Sequence, residues 1–409
     1  MMRNFESLRK LPKNVWAVSL TSFFMDISSE MVTNILPLFL ANVLGVQPTL
    51  IGLIEGVAES TASLLKIFSG WISDRLKSRK WLAVIGYGFS ALSKPFYLLA
   101  SSWGFVAAIR WSDRVGKGIR TAPRDALIAD SIRAEQRGLA FGLHRAMDTF
   151  GALIGIIIAA VVINSLQGSS MEMTGQTFHI VVLFSLLPAF LAVITLAFGA
   201  AEVALLKKDK PDLKPWKLGG KFTQFLIIVG VFTLGNSSDA FLILRAQKSG
   251  LDVISILAML AMFNLIYSVI SMPAGSLSDK IGRKKLIIGG WVVYAVIYFG
   301  FALSSNPSQM FTLYALYGIY YGLAHGTANA LIADLIPSQS RGTAYGTYNA
   351  VVGLTTLPAS LIAGWLWEVA NFSAPFWFGG GMALIAAVML FFFKIPNPDE
   401  INPIPEPGI

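Results

Sequence analysis

Twelve apolar runs, each of about 20 residues, follow one another along the chain. A run of that length is what a helix needs to cross the hydrocarbon core of a bilayer. With 55% hydrophobic and 13% charged residues, the chain of 409 residues is too apolar for a soluble protein of its size. We therefore predict an all-α membrane protein with helices near residues 15–42, 49–71, 81–101, 103–128, 138–164, 178–200, 221–245, 251–274, 286–305, 309–336, 343–368 and 374–394.

The distribution of basic residues predicts the orientation of these helices. A net charge of +9 is compatible with a nucleic-acid partner, but 22 of the 32 Lys and Arg residues fall in segments on one side of the helix map. By the positive-inside rule that side is cytoplasmic, and it holds both termini and the middle loop. We expect a multi-pass protein of the cell inner membrane that contacts lipid and binds no nucleic acid.

The same sequence argues against an enzyme or a metalloprotein. It contains no cysteine, and its three histidines, His144, His179 and His325, are scattered. No nucleophile, base and orienting group stand at a recognisable spacing, and no nucleotide-binding loop is present. We predict no enzymatic activity, no cofactor and no bound metal.

An internal repeat divides the chain into two halves. The segment 70–75 returns as 275–280, and Ala-Leu-Ile-Ala-Asp at 126–130 returns unchanged at 330–334. Repeats in the same order at nearly one offset indicate a duplicated six-helix unit. The predicted parts are a first bundle over 1–200, a cytoplasmic linker over 201–220, a second bundle over 221–394 and a Pro-rich cytoplasmic tail over 395–409.

The repeated loops carry a resemblance to a known family. The segment from Gly275 to Lys285, between helices 8 and 9, closely resembles the loop signature of the major facilitator superfamily. The matching segment from Gly70 to Lys80 resembles it too, although Lys77 stands where the family has Gly. The resemblance implies a transporter in which two pseudo-symmetric six-helix bundles surround a central cavity that opens alternately to each side.

These loops are the predicted gate. Glycine permits close helix approach, and an Asp beside basic residues can form contacts that break and re-form. The alternative is that the basic residues only fix topology. The predicted gating residues are Gly70, Asp74, Arg75, Gly275, Asp279, Lys280, Gly282 and Arg283.

Charged side chains inside the predicted helices are concentrated in the first half, which holds fifteen of them. Each costs roughly 2.5–3.5 kcal/mol at the centre of a bilayer, so most must face water or one another. The second half replaces most of them by neutral residues: Glu59 aligns with Asn264, and Lys117 aligns with Tyr321. We therefore assign these charges to a task confined to the first half.

Helical spacing gathers the charges into stripes and defines the candidate site. Buried carboxyls can exchange protons, and arginines suit anionic groups. The predicted proton-coupling residues are Asp26, Glu30, Glu55, Glu59 and Asp148. The predicted substrate-binding residues are Arg110, Asp113, Arg114, Lys117, His144, Arg145, Asn236, Asp239, Tyr317 and Tyr321. The alternative for any one of them is a structural ion pair, such as Arg145 with Asp148.

The preferred interpretation is a monomeric, proton-coupled secondary transporter of a small organic solute. Efflux by proton antiport is favoured, because export is frequent in the family that the loops resemble. Helix 5 lacks the Gly-Pro pair of drug antiporters, and its Gly151 and Gly155 are assigned to helix packing. The alternative is a proton-coupled symporter or a facilitator for an organic anion, favoured by the arginines. A non-transporting membrane receptor is the less favoured third possibility.

Overall fold

The computed structural model describes residues 11–76, 78–132, 136–203, 219–336 and 341–394. Within helices, the side chains at 74, 137–138, 271–280, 323–326, 329–330, 333–334 and 341–343 are outside the description. Most of the predicted linker and all of the predicted tail lie outside the described residues. Those boundaries therefore stay predictions.

The described residues form twelve long helices, α1–α12, and each begins within about three residues of its predicted start. Three of the twelve have an irregular continuation or a break. The bounds are α1 Lys13–Thr33, continued by Leu36–Leu38 and Phe39–Val43; α2 Pro48–Leu76; α3 Lys80–Ser93, continued by Lys94–Leu99; α4 Trp103–Asp130; α5 Arg137–Gln167; α6 Gly175–Gly199; α7 Gly220–Gly235 and Ala240–Lys248; α8 Val253–Ile281; α9 Arg283–Leu303; α10 Pro307–Leu335; α11 Arg341–Val369; and α12 Ala374–Phe392.

Nine helices in the described part of the chain are long and apolar enough to cross a membrane. Helices α2 and α4, which carry most of the charged residues, are not among the nine. Both pack against each other and against further helices. Their polar faces are thus covered by protein, which is where charge inside a membrane is tolerated.

The packing of the helices repeats between the halves. In the first half α1 packs on α5 and α6, while α4 packs on α2 and α3. In the second half α7 packs on α11 and α12, while α10 packs on α8 and α9. Two symmetry-related contacts, α2 with α11 and α5 with α8, join the halves. The predicted fold of two pseudo-symmetric six-helix bundles is therefore confirmed.

Close contact between α1 and α5 depends on two glycines. A Cβ atom at Gly151 or Gly155 would overlap the carbonyl oxygen of Phe23 or Ile27, respectively. Any larger side chain would push the helices apart, as at other small-residue helix contacts in membranes. This confirms the packing role predicted for the two glycines.

Polar contacts between the halves cluster at the membrane face opposite the one where α1 begins and α12 ends. We call these the opposite face and the terminal face. At the opposite face Gln247 Nε2 donates to Asn42 Oδ1 at 2.9 Å, and Thr49 N donates to Glu368 Oε1 at 2.8 Å. In the same region Val253 N donates to the carbonyl oxygen of Ser170. The two bundles are thus closed against each other at the opposite face.

Helix α7 is broken in the middle of the bundle. Its two segments are separated by an irregular stretch that includes Asn236 and Asp239. The Tyr294 hydroxyl bonds with the Gly235 carbonyl oxygen and with Asn236 Oδ1, both at 3.2 Å. Non-helical backbone at this depth is tolerated because protein groups satisfy it.

Candidate functional site

Helix α4 carries most of the basic residues of the candidate site. Its basic residues at 110, 114, 117 and 124 recur with the three- and four-residue steps of one helical face, which turns toward α2 and α1. Arg110 and Arg114 are only 3% and 4% exposed, and Asp113 between them is 5% exposed. Charges so deeply buried require partners at close range.

Arg110 and Glu55 form a two-point ion pair between α4 and α2. Arg110 Nε donates to Glu55 Oε1 at 3.0 Å, and Arg110 Nη2 donates to Glu55 Oε2 at 2.6 Å. The remaining Nη1 donates to Thr33 Oγ1 at 3.2 Å. A guanidinium that meets both carboxylate oxygens in this way is held firmly. Glu55 is therefore committed to holding α2 against α4.

Arg114 is shared between two acids. Its Nε and Nη2 donate to Asp113 Oδ2 at 3.1 and 2.7 Å, and its Nη1 donates to Glu59 Oε1 at 3.1 Å. The Glu59 side chain is 37% exposed, whereas that of Glu55 is 6% exposed. Glu59 is thus the member of this network that reaches the accessible space.

Three further basic side chains tie the bundle together through hydroxyls and rings as well as acids. Arg120 Nη1 donates to Ser90 Oγ at 2.5 Å, and its guanidinium lies over the Tyr87 ring. Arg124 pairs with Asp125 Oδ1 at 2.8 Å. Lys94 contacts Ser29 Oγ at 3.2 Å, Ser28 Oγ and Met25 Sδ. These contacts join α3 and α4 to their neighbours and to α1.

Three of the five predicted coupling acids differ from Glu55 and Glu59 in their surroundings. In the described part of the chain, no Arg or Lys nitrogen lies within 4 Å of Asp26, Glu30 or Asp148. Glu30 accepts a hydrogen bond from Asn34 Nδ2 at 2.8 Å. Asp26 and Asp148 are electrostatic neighbours across the α1–α5 contact.

Asp148 lies beside His144, one helical turn away. Its Oδ2 is 3.6 Å from His144 Nε2, which is too long for a hydrogen bond. Its Oδ1 and both ring nitrogens of His144 are buried without a hydrogen-bond partner among the described residues. The site therefore contains unsatisfied proton donors and acceptors next to each other.

The predicted pairing of Arg145 with Asp148 is wrong. Arg145 Nη2 donates to the Tyr267 hydroxyl at 2.7 Å, and the guanidinium lies over that ring at 5.8 Å from its centroid. Tyr267 belongs to α8, so the contact joins the two halves. The helical spacing identified a neighbour on α5, whereas the actual partner comes from the other bundle.

The second half faces this network with aromatic rings. Tyr317 is 1% exposed and lies in a cluster with Tyr294, Tyr298, Phe263 and Phe301. In this conformation Tyr317 packs inside the bundle and does not line an open cavity. Tyr321, also predicted to bind substrate, is half-buried at the edge of the same cluster.

The break in α7 brings an acid of the second half toward the first half. Asp239 is exposed, and its electrostatic neighbours are Glu59, Glu30 and Glu55. The side chain of Asn236 accepts a bond from Tyr294 and stabilises the break. Of the second-half candidates, Asp239 thus stands opposite the acids of α1 and α2.

The predicted gate is only partly within the described residues. The side chains of Asp74, Gly275, Asp279 and Lys280 lie outside them. A Cβ at Gly70 would lie 3.4 Å from Ala122 Cβ, so this glycine sits where α2 approaches α4. Gly282 has a φ of 96°, which favours glycine. Arg283 opens α9, and Arg75 lies over the Trp71 ring.

Residues that sequence reasoning missed hold the loop between α2 and α3. Glu202 accepts the backbone N–H groups of Arg79 at 2.7 Å and Lys80 at 3.1 Å, and the Ser78 hydroxyl at 3.0 Å. Arg79 Nε also pairs with Asp130 Oδ2 at 3.3 Å. Asp130 belongs to the repeated Ala-Leu-Ile-Ala-Asp segment, so the sequence repeat pointed to it. No sequence pattern pointed to Glu202.

Within the described residues, no group of three or more His, Asp and Glu side chains is placed to hold a metal ion. The site is instead a set of ion pairs with a few unpaired charges. Two similar six-helix bundles are the arrangement that the loop signature implied.

Comparison with known proteins decides the family. The model of the Major Facilitator Superfamily matches residues 18–241 and again residues 222–409. The chain belongs to the major facilitator superfamily. An uncharacterized MFS-type transporter of Methanocaldococcus jannaschii is 37% identical over 407 residues, which cover 96% of this chain and 98% of that protein. This member of the superfamily is therefore a multi-pass membrane transporter, and membership favours a transporter over an enzyme.

Two further similarities are more limited. The quinolone resistance protein NorA of Staphylococcus aureus is 28% identical over 168 residues, which cover 41% of this chain and 42% of NorA. The crystal structure of PepTSo, a POT family transporter, superimposes with a TM-score of 0.78 at 11% identity, and the match covers 94% of this chain and 98% of that one. At that identity the structural match speaks for the superfamily fold alone.

Proposed function

We propose that this transporter is proton-coupled and exports a small organic solute across the cell membrane by alternating access, in exchange for protons. One observation carries the proposal. Asp26 and Asp148 are electrostatic neighbours without an Arg or Lys partner within 4 Å, whereas Glu55 and Asp113 are bound by Arg110 and Arg114. The described first-half acids therefore divide into a paired, structural group and an unpaired group suited to protons.

The physical basis is the cost of a buried charge. An ionised carboxylate without donors is expensive in a buried site, and binding a proton removes that cost. The basic neighbours of Asp26 are Arg120, Lys117 and Arg124. A solute that approaches these bases alters their field at Asp26. Solute binding and proton binding are thereby coupled: a solute that adds positive charge competes with the proton, as antiport requires, whereas an anionic solute favours the proton, as symport requires.

The same reasoning reduces the set of coupling acids. Glu55 meets Arg110 at two points and would have to lose both bonds before it took up a proton. Glu59 has one oxygen on Arg114 and is partly exposed, so it can change partner as the bundles move. We assign coupling to Asp26 and Asp148, an exchanging contact to Glu59, and a structural role to Glu55.

Alternating access requires contacts between the halves that can open. In the orientation expected from the basic residues, the terminal face is cytoplasmic and the opposite face is external. The contacts of Gln247 and Glu368 then close the external side. Export as the direction is supported by the partial similarity to NorA, which is a resistance protein by name.

The runner-up is proton-coupled symport or facilitated transport of an organic anion. The observation that favours it is the row of basic residues on α4, which exceeds what its acidic neighbours pair. Both proposals use the same site. They differ in the direction of proton movement.

Lumenal pH in proteoliposomes distinguishes the two. The purified transporter is placed in the vesicle membrane and the pH-sensitive dye pyranine in the lumen. Candidate solutes are then added outside, with no imposed pH gradient. Antiport expels protons as the solute enters, so lumenal pH rises. A fall in lumenal pH would contradict export by antiport and support symport. Solute entry without any pH change would contradict proton coupling. The Glu172→Gln variant, changed in an exposed loop residue, is the matched control and should behave like the wild type.

A further inference from the structure

Two lysines of the charged site have no acidic partner. In the described part of the chain, neither Lys66 on α2 nor Lys117 on α4 has a carboxylate oxygen within 4 Å or a hydrogen bond from its side chain. We infer that Lys66 and Lys117 form a subsite for an anionic group, a carboxylate or phosphate, on the transported solute. This inference rests on the proposed transport function and names its substrate class, which is that of the runner-up, transport of an organic anion.

The two lysines lie on touching sections of their helices. A Cβ on Gly118, next to Lys117, would overlap Leu65, next to Lys66. Ser69 Oγ also donates to the Gly118 carbonyl oxygen at 2.8 Å. Lys66 is also one of the electrostatic neighbours of Lys117. The two lysines therefore lie at the same contact between α2 and α4.

Lys66 belongs to the same face as the α2 acids. It follows Glu59 by seven residues, which is two helical turns, and Glu59 follows Glu55 by four. The 37% exposed Glu59 shows that this face reaches accessible space. Lys66 and Lys117 are themselves half-buried, so each has contact with that space. An anion can therefore reach the two lysines without breaking the ion pairs of α2 and α4.

The other basic residues of the first-half site are already occupied. They bind acids, hydroxyls or rings at short range: Arg110 with Glu55, Arg114 with Asp113, Arg124 with Asp125, Arg120 with Ser90 and Tyr87, Lys94 with Ser28 and Ser29, and Arg145 with Tyr267.

The acids near the two lysines are engaged by arginines in the described part of the chain, Glu59 by Arg114 and Asp125 by Arg124. Glu59, the acid in the surroundings of both, has its Oε1 at 3.1 Å from Arg114 Nη1 and 3.8 Å from Arg110 Nη2. The strongest influence on Lys117 is the like charge of Arg114. Two positive charges held together in a partly buried site repel each other. A bound anion between them removes that repulsion, which is the physical source of affinity.

The repeat provides an internal comparison for the subsite. The second half has Ser271 in place of Lys66 and Tyr321 in place of Lys117, so the fold does not require either charge. The subsite also borders the other bundle, because a Cβ on Gly353 of α11 would overlap Ser63 of α2. An anion at the lysines is therefore next to the contact that must move during transport.

Ligand-induced stabilisation of the purified full chain tests the subsite. The probes are benzoate, 1-naphthoate, succinate, citrate and phenyl phosphate, with benzamide, 1-naphthamide and succinamide as neutral partners. A ligand that binds the folded state raises its melting temperature. We expect at least one acid to raise the melting temperature while its neutral partner does not. Lys66→Gln and Lys117→Gln should each raise the half-saturating concentration of that acid at least tenfold. Lys13→Gln, at an exposed helix end, should leave it unchanged.

Three results would overturn the inference. They are no stabilisation by any acid in the wild type, equal stabilisation by acid and amide, and unchanged acid binding in both lysine variants. Stabilisation by phosphatidylglycerol that disappears in the lysine variants, with no effect of the soluble acids, would assign the lysines to a lipid headgroup and also overturn it.

Failure of the subsite is distinguishable from failure of the transport proposal. Suppose that the pyranine assay shows proton movement coupled to a neutral or cationic solute in both lysine variants. This result would support proton-coupled transport and contradict the anion subsite. If acids bind through the lysines but no solute moves protons, the subsite stands and the coupling proposal falls.

Discussion

The two halves of the transporter share a scaffold but differ in their interiors. The first bundle is built around ion pairs such as Arg110 with Glu55, whereas the second is built around a cluster of stacked and edge-on tyrosines such as Tyr294 and Tyr298. Both interiors support the same helix packing. The charges are therefore not needed for the fold, and their concentration in one half is the reason that we propose solute and proton binding there.

Breaking the tightest ion pair should produce the largest effect. Arg110→Met leaves Glu55 buried without its partner, and we expect a loss of about 3–5 kcal/mol in the free energy of unfolding, measured by detergent-induced unfolding. The double variant Glu55→Gln/Arg110→Gln removes both charges and should recover most of that loss. A single variant that costs less than about 1 kcal/mol would show that Glu55 is not committed to Arg110.

The converse change places a charge in the neutral half. Asn264 stands at the position of Glu59, and its Nδ2 donates to the Leu260 carbonyl oxygen at 3.1 Å. Asn264→Glu should destabilise the protein by roughly 2.5–3.5 kcal/mol, because α10, the counterpart of α4, has no Lys or Arg in its sequence to pair with the new charge. Asn264→Gln, which keeps the amide, is the control in the same unfolding assay. Equal stabilities for the two variants would mean that the second half tolerates charge as well as the first.

One hydroxyl of the aromatic cluster, that of Tyr294, stabilises the break in α7. Tyr294→Phe removes the bonds to Gly235 and Asn236, and we expect a loss of about 1–2 kcal/mol because buried acceptors remain. Tyr348→Phe is the matched control, since no hydrogen bond of its hydroxyl is found among the described residues; its effect should stay within about 0.5 kcal/mol. If both substitutions have the same effect, Tyr294 does not stabilise the break.

The smallest effect is expected where the halves meet at the opposite face. Gln247→Ala removes the bonds to Asn42 Oδ1 and to the Met171 carbonyl oxygen. Because these bonds lie at a partly exposed surface where water can replace them, we expect a combined loss of about 0.5–1 kcal/mol. The free-energy difference between the closed and the open state sets the ratio of their populations. Each loss of about 0.95 kcal/mol in that difference should therefore raise the fraction of molecules open at that face roughly fivefold.

Spin-label distances can measure this shift directly, because the chain contains no cysteine of its own. Labels at Ser165→Cys and Ser308→Cys, exposed sites near the opposite face of either half, should report a larger fraction of long distances in Gln247→Ala than in the wild type. An unchanged distance distribution would show that Gln247 does not hold this face closed.

Much of the fold was predictable because membrane helices are encoded by local apolarity. Each helix start was found to within about three residues, and the repeat predicted the symmetry. The break in α7 was not predicted, since Asn236 and Asp239 lie inside a run that is apolar on average. It depends on Tyr294, which is distant in sequence.

The site was predictable as a set of charges but not as a set of partners. Spacing along one helix gave the α4 stripe, yet it could not show that Arg145 reaches Tyr267 on another bundle, or that Glu202 holds the loop between α2 and α3. Such pairs depend on how helices are placed in three dimensions. The distinction between paired Glu55 and unpaired Asp148 likewise appears only in the structure.

The central claim is that Asp26 and Asp148 couple proton movement to solute movement. It is tested most directly by comparing solute exchange with proton-driven accumulation in proteoliposomes of Asp26→Asn and Asp148→Asn, since exchange needs alternating access but no net proton transfer. We expect both variants to keep exchange within about threefold of the wild type and to lose at least ~10-fold in proton-driven accumulation, which corresponds to a loss of about 1.4 kcal/mol or more in coupling free energy. Full proton-driven accumulation in both variants would contradict it.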